Sequence, residues 1–209
     1  MSLHIGDTAP DFSAETTLGP IRLHEWAGDS WVFFFSHPAD FTPVCTTEMG
    51  MTARLAAEFA KRNVKPLGLS TDTLEEHLAW VKDVEETQGA TLDFPIVADP
   101  DLAIARAYDM IHPGQSDTAA VRSVFIIDPA KKIRLIMTYP MSVGRNFDEI
   151  LRVIDSLQLS DRCTIATPAD WRPGDKVIIP PSIGDDKAKE LFPQGFETIK
   201  PYLRLVAVA

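Results

Sequence analysis

Trp31-Val32-Phe33-Phe34-Phe35-Ser36-His37-Pro38-Ala39-Asp40-Phe41-Thr42-Pro43-Val44-Cys45 runs an apolar stretch into a proline-punctuated loop and then into a helical pattern. A short, continuous apolar run bounded by turn residues reads as a fully buried strand, here over residues 31 to 35. The loop that follows sets a thiol at a strand-to-helix junction. A cysteine in the first helical turn faces backbone N–H groups that lack acceptors and the positive end of the helix dipole, so its thiolate is favoured over the thiol. Cys45 is therefore a candidate nucleophile.

The spacing around it adds chemistry. Thr42, three residues earlier, is close enough on a turn for its hydroxyl to meet both the sulfur and a substrate oxygen. Pro38 has no N–H and a fixed φ, so it walls a pocket without adding a competing donor. A lone free cysteine is more often a small buried hydrophobe than a reagent. The complete Pro-x-x-x-Thr-x-x-Cys pattern reverses that preference.

That motif resembles the peroxiredoxins. The similarity continues through Thr46-Thr47-Glu48, Phe94-Pro95-Ile96-Val97-Ala98-Asp99-Pro100-Asp101, Val121 to Pro129, and Gly144-Arg145-Asn146-Phe147-Asp148-Glu149, and so covers nearly the whole chain. The segment Ala166-Thr167-Pro168-Ala169-Asp170-Trp171 is similar to the one-cysteine class. The resemblance implies a thiol peroxidase that reduces hydrogen peroxide and organic hydroperoxides at Cys45. The oxidised form is a sulfenic acid, recycled by an external thiol reductant or reductase, with no metal, haem or flavin cofactor.

The resemblance also places Arg122 where it stabilises the thiolate and polarises the peroxide bond. An arginine in an apolar strand, taken alone, belongs more often to a structural ion pair. Glu48 is expected to orient Arg122, and Arg145 to join the same network. His37, beside Pro38, is within reach of the thiol, but a histidine at a loop mouth is more often solvated or a cap, and it takes a lesser role. In two-cysteine relatives the resolving thiol occupies the position held here by Thr167. Cys163 is accordingly expected to be an ordinary free cysteine, with a resolving role as the alternative.

Two rival functions come from other classes. One is a redox-regulated chaperone or sensor in which oxidation of Cys45 changes assembly. The other is a phospholipase using Ser30, since some one-cysteine relatives carry a Gly-x-Ser-x-Gly serine with a histidine and an aspartate. Here the motif reads Gly28-Asp29-Ser30-Trp31-Val32, and although His24 is present, Ala130 stands where the aspartate is expected. A serine at the start of a buried strand is most simply a turn residue.

Composition bounds the rest. With 209 residues, 45% of them hydrophobic, the chain can bury one sizeable core. A formal net charge of −10 repels phosphate backbones and anionic lipid, and no strong Lys/Arg cluster offsets it, so neither nucleic acid nor membrane is an expected partner. Two cysteines and five scattered histidines do not supply a cysteine-rich zinc site. The first residues, MSLHIGDTAPDF, have no basic start followed by an apolar stretch. A reducing, cytoplasmic setting is expected.

The pattern along the chain predicts a hairpin over 11–23, a helix from Cys45 to about 62, and a strand at 64–70. It then predicts a helix with Leu74, Leu78 and Val81 on one face, closed by Gly89. Strand 94–98, helix 102–110 and a hairpin of strands 121–127 and 133–139 follow. Asn146 and Glu149 open a helix with Ile150, Val153, Ile154 and Leu157 on its apolar face. The reading is a thioredoxin-like α/β fold, a mixed central sheet flanked by helices, over residues 1–165, with a C-terminal arm over 166–209. The arm carries prolines 168, 173, 180, 181, 193 and 201, so it is not one long helix, with a short helix near 185–191 and a strand near 202–208. Its apolar residues Val177, Ile178, Ile179, Leu191 and Phe192 are expected to need a partner surface, which predicts a homodimer or a larger ring.

Overall fold

The computed structural model describes residues 3–208. Strands β1 (Ser13–Ala14) and β2 (Ile21–Arg22) form the N-terminal hairpin and run into a short helix, α1 (Leu23–Ala27). Next comes β3 (Trp31–Ser36), every residue of which is buried. The helical stretch after Thr42 breaks at Leu55 into α2 (Pro43–Arg54) and α3 (Ala56–Lys61). Strand β4 (Val64–Ser70) leads to α4 (Leu74–Gln88), which starts at a reciprocal Thr73–Glu76 capping box and ends at left-handed Gly89.

Strand β5 (Ile96–Ala98) begins only after Pro95, and α5 (Ala103–Ala107) only after left-handed Leu102, so both are shorter than their apolar patterns suggest. Strands β6 (Arg122–Ile127) and β7 (Ile133–Tyr139) form the second hairpin. The chain then continues through α6 (Phe147–Cys163), β8 (Val177–Ile179), α7 (Asp185–Leu191), β9 (Glu197–Lys200) and β10 (Leu203–Val206).

The central sheet has the order β5-β4-β3-β6-β7, parallel across β5, β4 and β3 and antiparallel across β3, β6 and β7. Because side chains alternate along a strand, β3 feeds two cores. Val32 and Phe34 join Leu67, Leu69, Tyr108 and Phe125 on one face. On the other, Phe33 stacks on Phe35 at 4.6 Å and on Phe59 of α3 at 5.2 Å. The site-bearing loop therefore leaves a fully buried central strand.

Two compact units emerge, Met1–Arg145 and Asn146–Ala209, so α6 groups with the tail and the division lies ahead of the 165/166 boundary read from proline content. In the second unit β8, β10 and β9 form an antiparallel sheet whose outer strands the sequence pattern did not reveal. The partner surface expected from the tail's apolar residues is not needed for most of them. Val177, Ile179 and Phe192 are buried in a cluster with Leu159, Ile165, Trp171, Ala188 and Val206, Ile178 is half-buried, and Leu191 alone of the five is exposed. Helix α6 supplies the missing wall through Leu159.

Helix α4 departs from expectation in a way that bears on the site. Its buried residues are His77, Trp80 and Val84, while Leu78 is 46% exposed. The helix is rolled so that a histidine, not a leucine, faces the core. No described helix is long and apolar enough to cross a membrane.

Candidate active site

The loop between β3 and α2 is fixed residue by residue. His37 N donates to Leu69 O on β4 at 2.9 Å, and Asp40 N donates to the Asp72 carboxylate at 3.0 Å. Phe41 then takes a left-handed conformation, φ +53°, which costs a non-glycine residue about 1–2 kcal/mol. This reversal aims the chain into α2. Thr42 is the N-cap in extended conformation and Pro43 opens the helix, where its missing N–H costs nothing. Cys45 is thus in the first turn, fully buried, among N–H groups that precede any intrahelical acceptor.

Arg122, the first residue of β6, reaches this sulfur. Its Nη1 lies 3.3 Å from Cys45 Sγ and 2.8 Å from Glu48 Oε2, while Nε and Nη2 donate to Met141 O at 3.0 and 2.7 Å. Glu48 follows Cys45 by three residues and so shares its helix face. Its second oxygen accepts from Arg145 N at 2.8 Å and from Arg145 Nε at 3.0 Å, and Arg145 Nη2 bonds Oε2. Arg145 Nη1 donates to Ser36 O and Ser123 O, and the guanidinium lies over the Phe35 ring at 4.8 Å. Burial pulls the Arg145 guanidinium below its ordinary pKa, and Glu48 opposes that pull. One buried carboxylate thus serves two buried arginines, leaving one positive charge in excess beside the thiol.

The structure brings Cys45, Glu48, Arg122 and Arg145 together, with half-buried Pro38 and Thr42 on the adjoining loop. The Thr42 hydroxyl donates to Ala39 O at 2.8 Å rather than to the sulfur, which fixes its rotamer and leaves its oxygen as an acceptor. His37 is not a solvated residue at a loop mouth. It is fully buried, packed at a tilt against Trp80 with ring centroids 5.0 Å apart, and bonded through Nε2 to Asp40 Oδ1 at 2.8 Å. Burial holds its pKa below the ordinary histidine value, against the pull of Asp40.

Asp40 and His77 are members of this neighbourhood that the sequence reading missed. His77 Nδ1 lies 2.6 Å from Asp40 Oδ2 and its Nε2 lies 3.2 Å from Val97 O. Burial would raise the Asp40 carboxyl, but the His37 and His77 hydrogen bonds outweigh it and leave the group below its usual range. The available signal was a histidine three residues ahead of a tryptophan on α4, the spacing of one helix face.

Cys163 is a half-buried free thiol in the second unit. The Ser30 hydroxyl donates to Asn63 Oδ1 at 2.8 Å, and His24 Nε2 lies 2.8 Å from Ala9 O. Neither contact is that of a serine nucleophile with its base.

A sequence profile of the AhpC/TSA family matches residues 5–136, and one of the C-terminal domain of 1-Cys peroxiredoxin matches residues 156–195. The chain belongs to the 1-Cys peroxiredoxins. This peroxiredoxin is 54% identical to the 1-Cys peroxiredoxin of Dictyostelium discoideum, across 97% of the chain and 84% of the relative. It is 50% identical to peroxiredoxin-6 of Rattus norvegicus, across 97% and 96%. Among solved structures, a yeast mitochondrial 1-Cys peroxiredoxin superposes with a TM-score of 0.92 at 49% identity, covering 99% of this chain and 100% of that one. The peroxiredoxin is a thiol-dependent peroxidase with a thioredoxin-like fold.

Proposed function

We propose that Cys45 is the peroxide-reducing residue and that hydrogen peroxide and alkyl hydroperoxides are its substrates. The carrying observation is the 3.3 Å contact from Arg122 Nη1 to Cys45 Sγ at the N-terminus of α2. A cation and a helix start both favour negative charge on that sulfur. The thiolate attacks the terminal peroxide oxygen, the S–O bond forms as the O–O bond breaks, and Cys45 becomes a sulfenic acid. The departing oxygen leaves as hydroxide or alkoxide and takes a proton from solvent to become water or alcohol. Arg122 and the first-turn N–H groups face the developing charge, and the Thr42 oxygen accepts the peroxide O–H.

Recycling by an external thiol completes the cycle. Two equivalents of thiol return the sulfenic acid to Cys45, giving one disulfide and one water. Thr167 in place of a resolving cysteine supports this reading. So does the yeast mitochondrial relative, whose thiol resolving runs through glutathione/thioredoxin systems.

Stopped-flow mixing with hydrogen peroxide is the test. Cys45→Ser is expected to abolish peroxide consumption, and Cys163→Ser to leave single-turnover oxidation nearly intact. Undiminished reaction in Cys45→Ser would refute the assignment.

A further inference from the structure

The buried cluster of His37, Asp40 and His77 is left over once the thiol and its two arginines are accounted for. Its ligating atoms lie within 4.8 Å of one another, and all three residues are buried. Two explanations compete, a metal ion and a set of protons.

The hydrogen-bond pattern decides between them. Each imidazole has its own Asp40 oxygen, His37 Nε2 on Oδ1 at 2.8 Å and His77 Nδ1 on Oδ2 at 2.6 Å. A carboxylate only accepts, so each of those nitrogens carries a proton. The other nitrogen of His77 faces the Val97 carbonyl at 3.2 Å, which also only accepts. His77 therefore holds two protons and is an imidazolium paired with the Asp40 carboxylate.

His37 differs. Its Nδ1 is buried with no hydrogen-bond partner. With the proton on Nε2, that nitrogen is a bare lone pair. A metal on Nε2 would drive the proton to Nδ1 and strand a buried donor, the costlier arrangement.

This pair grips the loop that presents the thiol. Asp40 sits immediately before left-handed Phe41, and the chain enters α2 two residues later. Its side chain is anchored to α4 through His77, and its N–H to Asp72, whose Oδ2 also accepts from Ser70 Oγ at 2.6 Å. From the same helix, Trp80 Nε1 donates to Thr46 Oγ1, which donates in turn to Thr42 O. Helix α4 thus braces both sides of the Phe41 reversal.

Resting on the assignment of Cys45 above, we propose that His77 and Asp40 are positioning residues for peroxide reduction. Their buried imidazolium–carboxylate pair holds the 37–42 loop, and with it Pro38, Thr42 and the start of α2, in the reactive geometry.

Two isosteric replacements separate the bonds of His77. Asparagine puts its amide N–H near Nδ1 and keeps the bond to Asp40, whereas glutamine reaches toward Nε2 and keeps only the bond to Val97. Both remove a buried ring, so a merely structural role costs both the same rate. The expected result is a comparable fall in Tm for the two variants. His77→Asn retains Cys45 oxidation within about fivefold of wild type, and His77→Gln loses about tenfold to a hundredfold, the scale of an ångström-level misplacement. Equal rates, or a faster glutamine variant, overturn the proposal.

A ring-selective nitrogen NMR spectrum of the intact wild-type protein keeps the test valid if either variant fails to fold. It should show two protonated ring nitrogens on His77 and one on His37. A single proton on His77, or a shift of both histidines on adding zinc alone, also overturns it. Peroxide consumption that survives Cys45→Ser would instead strike the underlying functional assignment.

Discussion

At the scale of single residues, Arg122 combines two effects that substitution can separate. In the proposed mechanism its charge, 3.3 Å from the sulfur, favours the Cys45 thiolate, and its N–H groups meet the charge that develops on oxygen during O–O cleavage. Arg122→Met keeps length and removes both. Raising the pH restores thiolate but no donor, so the peroxide rate of the variant is expected to stay about 10²- to 10³-fold below wild type even in alkaline buffer, the usual loss for one such donor. Full rescue at high pH would confine Arg122 to ionisation. Stopped-flow rates across a pH series make the distinction.

His37 carries a second residue-scale prediction. Its pKa in the fold is held below the ordinary value of about 6.5 that the unfolded chain retains. Below that value the unfolded chain takes up a proton that the fold refuses. Stability is therefore complete above pH about 6.5 and falls as the pH drops toward the depressed folded value, by up to about 1.4 kcal/mol per pH unit. His37→Gln keeps a donor for Asp40 and cannot titrate, so urea midpoints measured between pH 5 and 7, about the window concerned, should lose that slope. An unchanged slope would mean that His37 is not the group refusing the proton.

At the scale of elements, α2 and α4 meet at a glycine. A Cβ on Gly50 would lie 2.5 Å from Gln88 Cγ and 2.6 Å from Gln88 Cβ, and the latter is not the free end of a flexible chain. Gly50→Ala gains about 1 kcal/mol of helix propensity but overpacks a contact, at about 1–3 kcal/mol. A net loss of up to about 2 kcal/mol is expected in chemical denaturation, the difference of those two figures. A more stable variant would show that the two helices yield easily.

The elements also show where sequence reading succeeds and stops. The apolar run of β3, the capping residue Asn146 and the stop at Gly89 are local signals, and each lies where the pattern put it. The buried face of α4 is not local. Leu78 lies on the apolar stripe of the pattern yet is exposed, and His77 is inside, where Asp40, 37 residues away, is its hydrogen-bond partner. Cys45 and Thr42 were readable from spacing. Arg122 and Arg145 came only through family resemblance, since no periodicity joins residues so far apart.

At the scale of the whole molecule, sheet order separates neighbours in space from neighbours in sequence. Strand β3 lies between β4, which follows it closely, and β6, which arrives after β5 and α5. Such non-local pairing slows folding, because a long loop must close before the contact rewards it. The tail unit has the opposite character, with a cluster drawn from residues 159 to 206.

The Arg122–Cys45 contact spans 77 positions of chain. Translation proceeds at about 5–20 residues per second, so the guanidinium is made about 4–15 s after the sulfur it touches. A nascent chain consequently carries an ordinary cysteine for seconds, unarmed while it is still attached to the ribosome. Chains stalled before residue 122 should then survive peroxide doses that oxidise Cys45 in released, full-length protein. Equal oxidation of both would show that the helix start alone arms the thiol. Because the proposed activating charge lies downstream of the cysteine, synthesis itself would time the onset of reactivity.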